Sequence, residues 1–131
     1  MDIILIAGLW LRATVWDSVV THLRDLGLNP VPLELPGVDD GSATATLEDQ
    51  AAAVLEAVDA ADRPVVVGHS AAAGLAWIAA DRRPDAIARV VMVGGFPGAN
   101  GTPYADFFEP VDGLMPFPGW EPFEGPDSAD L

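Results

Sequence analysis

Four short, largely apolar runs punctuate this chain, and between them apolar positions recur at helical spacing. Ile3 to Ile6 is closed by Ala7-Gly8, and Pro30 to Leu35 is followed by Pro36-Gly37. Val65 to Val67 runs into Gly68, and Ala88-Arg89-Val90-Val91-Met92-Val93-Gly94 again ends on glycine. The unbroken β-branched and leucine run Ile3 to Ile6 is the mark of a buried parallel strand, and Ala88 to Gly94 is likewise apolar on both faces. The segments between them carry helix signals. Thr14-Val15-Trp16-Asp17 reads as a capping box, with the Thr14 hydroxyl over the first turn and Asp17 reaching back. Val15, Val19, Leu23 and Leu26 then form an apolar stripe, and Gly27 ends the helix. Thr46-Leu47-Glu48-Asp49 is a second capping box, opening a helix whose stripe is Leu47, Ala51, Val54, Leu55 and Val58. Ala71 to Ala80 is a third helix. The order β-α-β-α-β-α-β predicts an α/β fold, a parallel sheet with helices on both faces and right-handed crossovers.

The pattern stops after Gly95. Residues 98–131 contain Pro103, Pro110, Pro116, Pro118, Pro122 and Pro126, with aromatic residues, many acids and no strand pattern. The chain therefore divides into a core over residues 1–97 and a segment over 98–131, either the start of a lid or a poorly ordered tail. The total of 131 residues suffices for one domain with a real core and not for two.

The third strand leads into the chemistry. Val65-Val66-Val67-Gly68-His69-Ser70-Ala71-Ala72 is a strand, a glycine, a serine two residues on, and small residues opening an alanine-rich helix. This is the layout of a nucleophile elbow, G-x-S-x-G, with Ala72 in the last position. The serine must sit on a sharp strand-to-helix turn for its hydroxyl to stand clear of the sheet. Larger side chains at Gly68 or Ala72 would clash with backbone in so tight a turn. A helix opening at the serine also aims backbone N–H groups at a developing oxyanion. The bland alternative is a Gly-Ser turn with no chemistry.

Composition narrows the partners. Twenty acidic residues against six basic ones give a formal net charge of −14. Such a field repels phosphate backbones and anionic lipid, so no nucleic-acid or membrane partner is expected. The absence of cysteine excludes disulfides and thiolate metal sites. No glycine-rich phosphate loop and no ligand cluster is present, so neither a cofactor nor a metal is expected. Met1 to Ala7 is apolar but too short for a membrane span and lacks a basic start, which makes a cytoplasmic location the expectation.

With these parts in order, the chain resembles the α/β-hydrolase family, and within it the compact branch of small carboxylesterases, plant-type methylesterases and hydroxynitrile lyases. Four places carry the resemblance. Ile4-Leu5-Ile6-Ala7-Gly8-Leu9-Trp10, with Trp16 further on, is similar to the family's strand and H-G-x-W…W loop. Leu33-Glu34-Leu35-Pro36-Gly37 resembles its D-L-P-G stretch. Val66-Val67-Gly68-His69-Ser70 resembles the elbow strand. Arg83-Pro84 with Val90-Val91-Met92-Val93 resembles the next helix exit and strand. Ala7 stands where the family usually has histidine. The resemblance implies a first strand lying between the second and third, with Ala88–Gly94 beyond the third.

It further implies a serine hydrolase acting on small-molecule carboxylic esters. Ser70 would be the nucleophile, and the backbone N–H groups of Leu9 and Ala71 would hold the oxyanion. Trp10 either walls the substrate pocket or packs on the sheet edge. Phe96, at the carboxyl end of the last strand, is placed to line the site. Trp16 and Trp77 are expected to pack, and Phe107, Phe108, Phe117, Trp120 and Phe123 to offer a lid. The family's base is a late histidine, whereas this chain has only His22 and His69. By the resemblance His69 packs beneath the elbow, and His22 lies within the first helix. Asp39 and Asp40 read as turn formers. Asp106, Glu109 and Asp112 read as solvated surface of the proline-rich segment. The expectation is the nucleophile half of a hydrolase, its base and acid supplied from outside this chain. A complementary C-terminal segment or chain, or self-association, would cover the apolar edge at residues 88–94. A hydroxynitrile-lyase-like activity and a non-catalytic ligand-binding or interaction protein are the alternatives.

Overall fold

A computed structural model of the chain describes residues 1–96 together with Gly98 and Val111. The lid expected over 98–131 thus lies outside the described residues, apart from those two. The strands are β1 (Asp2–Ile6), β2 (Asn29–Leu33), β3 (Val65–His69) and β4 (Arg89–Val93). The helices are α1 (Asp17–Asp25), α2 (Leu47–Asp59) and α3 (Ala73–Arg82), with single 3-10 turns at Ala13–Trp16 and Ser70–Ala72. The sheet order is β2-β1-β3-β4 and each pairing is parallel. This is the order the family resemblance implied. Ile4 pairs with Val31 on one side and Val66 on the other, so β1 is central. β2 carries Pro30 and Pro32 and stands at the sheet edge, where a residue without a backbone donor is tolerated.

The alternation of the strands feeds two cores. Ile4, Ile6 and Val66 point to the face covered by α2 and α3, where they meet Val54, Val58, Leu75, Ala76 and Ala79. Ile3, Leu5 and Val67 point to the other face and meet Trp16 and Val20. The side chains of Ile4, Val54, Val66 and Leu75 are each at most 1% exposed. Arg82 forms a two-pronged ion pair with Glu48 (2.6 and 2.9 Å), and Arg83 pairs with Asp59, tying α3 to α2 at the surface.

Five expectations are corrected. Thr14 does not cap a helix: it lies inside the 3-10 turn, and α1 opens at Asp17 without a side-chain cap. A residue already in helical conformation cannot turn its hydroxyl onto N–H groups ahead of it. The inward face there is Ala13, Trp16 and Val20, while Val15, Val19 and Leu26 are exposed. Burial of the Trp16 indole sets the rotation, and a shift of one residue turns a helix by about 100°. β2 ends at Leu33, because the Leu35 amide donates to the Asp39 carboxylate (2.8 Å) and its carbonyl accepts from Val38 and Asp39. Trp77 is half exposed, since α3 buries Ala72, Leu75, Ala76 and Ala79 and leaves position 77 off that stripe. β4 is apolar in sequence but covered on one face only. Val90 and Met92 are half-buried, whereas Val91 and Val93 are exposed on the face that carries Trp16 and Val20, because α1 packs beside β2, at the other end of the sheet from β4.

Candidate active site

The carboxyl ends of β1, β3 and β4 converge on Ser70. β3 ends at His69, and the chain enters the 3-10 turn Ser70–Ala72 directly, before α3 begins at Ala73. The helix therefore starts with a tighter first turn than the sequence suggested. Ser70 has φ +53°, in the left-handed region that non-glycine residues seldom enter. It is solvent-exposed, although Ala72 and Ala73 beside it are fully buried. Strain of this kind persists only where the surroundings over-determine it, and it concentrates at functional sites.

Gly68 allows the turn to be so tight. A methyl group there would lie 2.5 Å from the Ala72 carbonyl oxygen and 2.8 Å from Ala73 Cα. Those are backbone atoms of the following turn, and they cannot swing away as a side chain would.

The loop after β1 closes on the same place. Leu11 N–H donates to the Gly8 carbonyl (3.0 Å), and Trp10, third in that turn, has φ +65°. A four-residue turn with a positive φ at its third residue alone is of type II. A tryptophan in the position that glycine normally takes is a second strained residue beside the first. Gly8 makes the approach: a methyl group there would come within 3.0 Å of Ser70 Cβ and 2.9 Å of His69 Nδ1. Leu9 and Trp10, half-buried, follow from that contact, and Ala71, also half-buried, follows Ser70.

Asp39 anchors the loop at its far end. Its carboxylate accepts from Ala13 N–H (3.1 Å) and from Leu35 N–H (2.8 Å), joining the segment after the Trp10 turn to the exit of β2. The sequence suggested only a turn former. A carboxylate binding backbone 26 residues away leaves no trace in local spacing. Asp40 does form a turn, accepting from Gly37 and Ser42, and the Ser42 and Gly37 amides together hold its carboxyl below the usual range.

Neither histidine is turned toward Ser70 chemistry. His69 lies on the same side of the sheet as Val67 and meets Trp16 edge-on. His22 is exposed on α1, with Nδ1 bonded to the Ser18 carbonyl. Phe96 stands beyond β4, 82% exposed. The two best-formed depressions among the described residues lie elsewhere. One of about 230 Å³ is lined by Glu34, Leu35, Pro36, Asp39, Asp40 and Ala53, and one of about 350 Å³ by Trp77, Ala80, Asp81 and Pro84. Among the described residues no three of His, Asp and Glu are grouped to hold a metal ion. No described helix is long and apolar enough to cross a membrane. Phe107, Phe108, Phe117, Trp120, Phe123, Asp106, Glu109 and Asp112 lie outside the described residues.

Comparison with known proteins identifies the family and the fold. The model of the Alpha/beta hydrolase family matches residues 3–131. An Arabidopsis thaliana chloroplastic protein whose name puts it among the methylesterases (methylesterase 12) is 26% identical over 97 residues, which is 69% of this chain and 28% of that protein. An extracellular alpha/beta-hydrolase from a Paenibacillus species superimposes with a TM-score of 0.75 at 27% identity. That protein is described as sharing structural and functional homology with tobacco salicylic acid binding protein 2, and the match covers 83% of this chain and 46% of it. A pyrethroid hydrolase from Sphingobium faniae matches with a TM-score of 0.67 at 28% identity, over 86% of this chain and 53% of that one. The chain thus spans about half the length of the solved structures it matches.

Proposed function

This chain belongs to the alpha/beta hydrolase family, and on that premise we propose that it carries the nucleophile of a carboxylic ester hydrolase, with Ser70 in that role. The observation that carries the reading is the conformation of Ser70. It is an exposed serine held at φ +53° between a buried parallel strand and a helix, with Gly8 and Gly68 packed against its turn. The name of the methylesterase relative supports an ester as substrate, and that of the pyrethroid hydrolase supports hydrolysis.

In this mechanism the Ser70 hydroxyl attacks the acyl carbonyl carbon while its proton passes to a histidine base. The carbonyl oxygen becomes an oxyanion, and the N–H groups of Leu9 and Ala71 stabilise it. Each such donor is worth about 10²–10³ in rate. Collapse expels the alcohol, which takes up the proton, and water then releases the acid from the acyl-serine. The base lies outside this chain, because its two histidines are committed elsewhere, His69 against Trp16 and His22 on the outer face of α1, and the family resemblance puts the acid that orients the base outside it as well. Trp10 and Phe96 flank the acyl group.

The test is labelling with an alkyl fluorophosphonate and turnover of p-nitrophenyl acetate by the intact protein. Ser70→Ala should abolish labelling and most of the turnover. A residual rate of about 10³–10⁴ over water is the most that binding and the oxyanion donors can leave. Labelling at another residue, or turnover unaffected by Ser70→Ala, overturns the assignment.

A further inference from the structure

The exit of β4 also packs against the elbow, and the residue at the contact is Gly95. A methyl group built on Gly95 would overlap the carbonyl oxygen of Ser70 and lie 3.0 Å from its carbonyl carbon and 2.9 Å from Ala73 Cβ. The first obstacle is main chain, so it yields only if the elbow or the strand exit moves. That carbonyl shares one planar peptide unit with the Ala71 N–H, and in a trans peptide the two point in opposite directions. Whatever fixes the Ser70 carbonyl therefore also fixes where the Ala71 N–H points. We propose that Gly95 is a positioning residue, whose bare Cα seats the Ser70 carbonyl and thereby aims the Ala71 N–H at the oxyanion. The inference rests on Ser70 being the nucleophile. It adds to that reading a residue from a different strand, identified by contact rather than by motif.

Gly94 supplies an internal control. It is adjacent and has φ +60°, so a side chain there is strained, yet no atom of the described residues lies within 4 Å of an added methyl group. In the intact protein, Gly95→Ala should lower kcat on p-nitrophenyl acetate by about ten- to a hundredfold, with KM unchanged within about threefold. Gly94→Ala should keep kcat within about threefold while lowering the melting temperature through backbone strain. A kcat split of this kind is not what general loosening of the fold produces. Unchanged kcat in Gly95→Ala, or an equal loss in Gly94→Ala, overturns the proposal. If Gly95→Ala does not fold, the double variant with Ala73→Gly removes one of the two obstacles and keeps the carbonyl contact, and the same kinetic split is read from it. Should the unmodified protein show no Ser70-dependent turnover, the hydrolase reading fails on its own, and a crystal structure of Gly95→Ala decides the positioning claim. Rotation of the Ser70–Ala71 peptide supports it, and an unmoved peptide overturns it.

Discussion

The imidazole of His69 stands edge-on to the indole of Trp16, with ring centroids 6.1 Å apart and an interplanar angle of 83°. This contact joins the residue before Ser70 to the 3-10 turn that precedes α1. It also explains why a histidine next to the proposed nucleophile does not serve as its base. Consecutive residues diverge where the strand ends, and the ring of His69 is spent on packing.

Trp16 is 9% exposed, and its indole N–H is buried with no hydrogen-bond partner among the described residues. Trp16→Ala should therefore cost about 3–5 kcal/mol, as large aromatic truncations in cores do. Trp16→Phe should cost far less, about 1 kcal/mol, because it keeps the edge contact and removes a donor that burial leaves unsatisfied. Urea unfolding of the two variants checks the ranking. Equal losses would show that the indole N–H is satisfied in solution.

Ser70 sits where glycine is at ease. Ser70→Gly should raise stability by about 0.5–1 kcal/mol while removing the hydroxyl, and Ser70→Ala should bring no such gain, because alanine retains the Cβ that is strained at positive φ. Paired melting curves test this. A Ser70→Gly variant no more stable than Ser70→Ala would mean that the turn is not under strain.

Asp39→Ala removes a carboxylate that accepts from the amides of both Ala13 and Leu35. Hydrogen bonds to charged groups contribute about 1.5–3 kcal/mol each, and Asp39 is partly solvated, so a loss of about 2 kcal/mol is expected. Hydrogen exchange should speed up at Ala13 and Leu35 together. Acceleration at one amide alone would show that the two loops are not joined through this side chain.

The start of α2 should loosen in acid. The Thr46 hydroxyl, followed by the Thr46 backbone amide, holds the Asp49 carboxyl below its ordinary value of 3.8, and Arg82 does the same for Glu48. A carboxyl whose folded-state pKa is depressed contributes stability that is fully present above the unfolded value and is lost as pH falls through the folded one. Wild type should thus exceed Asp49→Asn in stability above pH 3.8, and the difference should shrink to nothing further down. A difference that stays constant from pH 6 to pH 2 (the range to be scanned, roughly that of carboxylate titration) would show that the charge of Asp49 plays no part.

The fold was legible because its signals are local. Each strand is centred on a short apolar run that can be read without the rest of the chain. Thr46 and Asp49 are three residues apart, and the reciprocal capping box they announce is present. The elbow motif is local as well, since Gly68, Ser70 and Ala72 need only their own turn to express its geometry. The strand order came from the family resemblance, because apolar runs alone do not say which strands are neighbours.

What the chain pattern left open are relations between segments far apart. Whether Trp16 or Val15 faces inward depends on which side chain fills the space over Leu5 and Val67, a question of packed volume rather than spacing. That α1 leaves Val91 and Val93 uncovered follows from where it lies across the sheet, and the sequence of β4 contains no sign of it. Asp39 looked like any loop aspartate until tertiary folding brought the Ala13 and Leu35 amides to its two oxygens. Gly95 looked like the end of a pattern until β4, docked in register beside β3, set it against the Ser70 carbonyl. The sequence determined the elements and the strained serine, because those arise from steric preferences within a few residues. Only the tertiary structure decided what holds that serine in place, because close backbone approach depends on the docking of whole strands and has no local code.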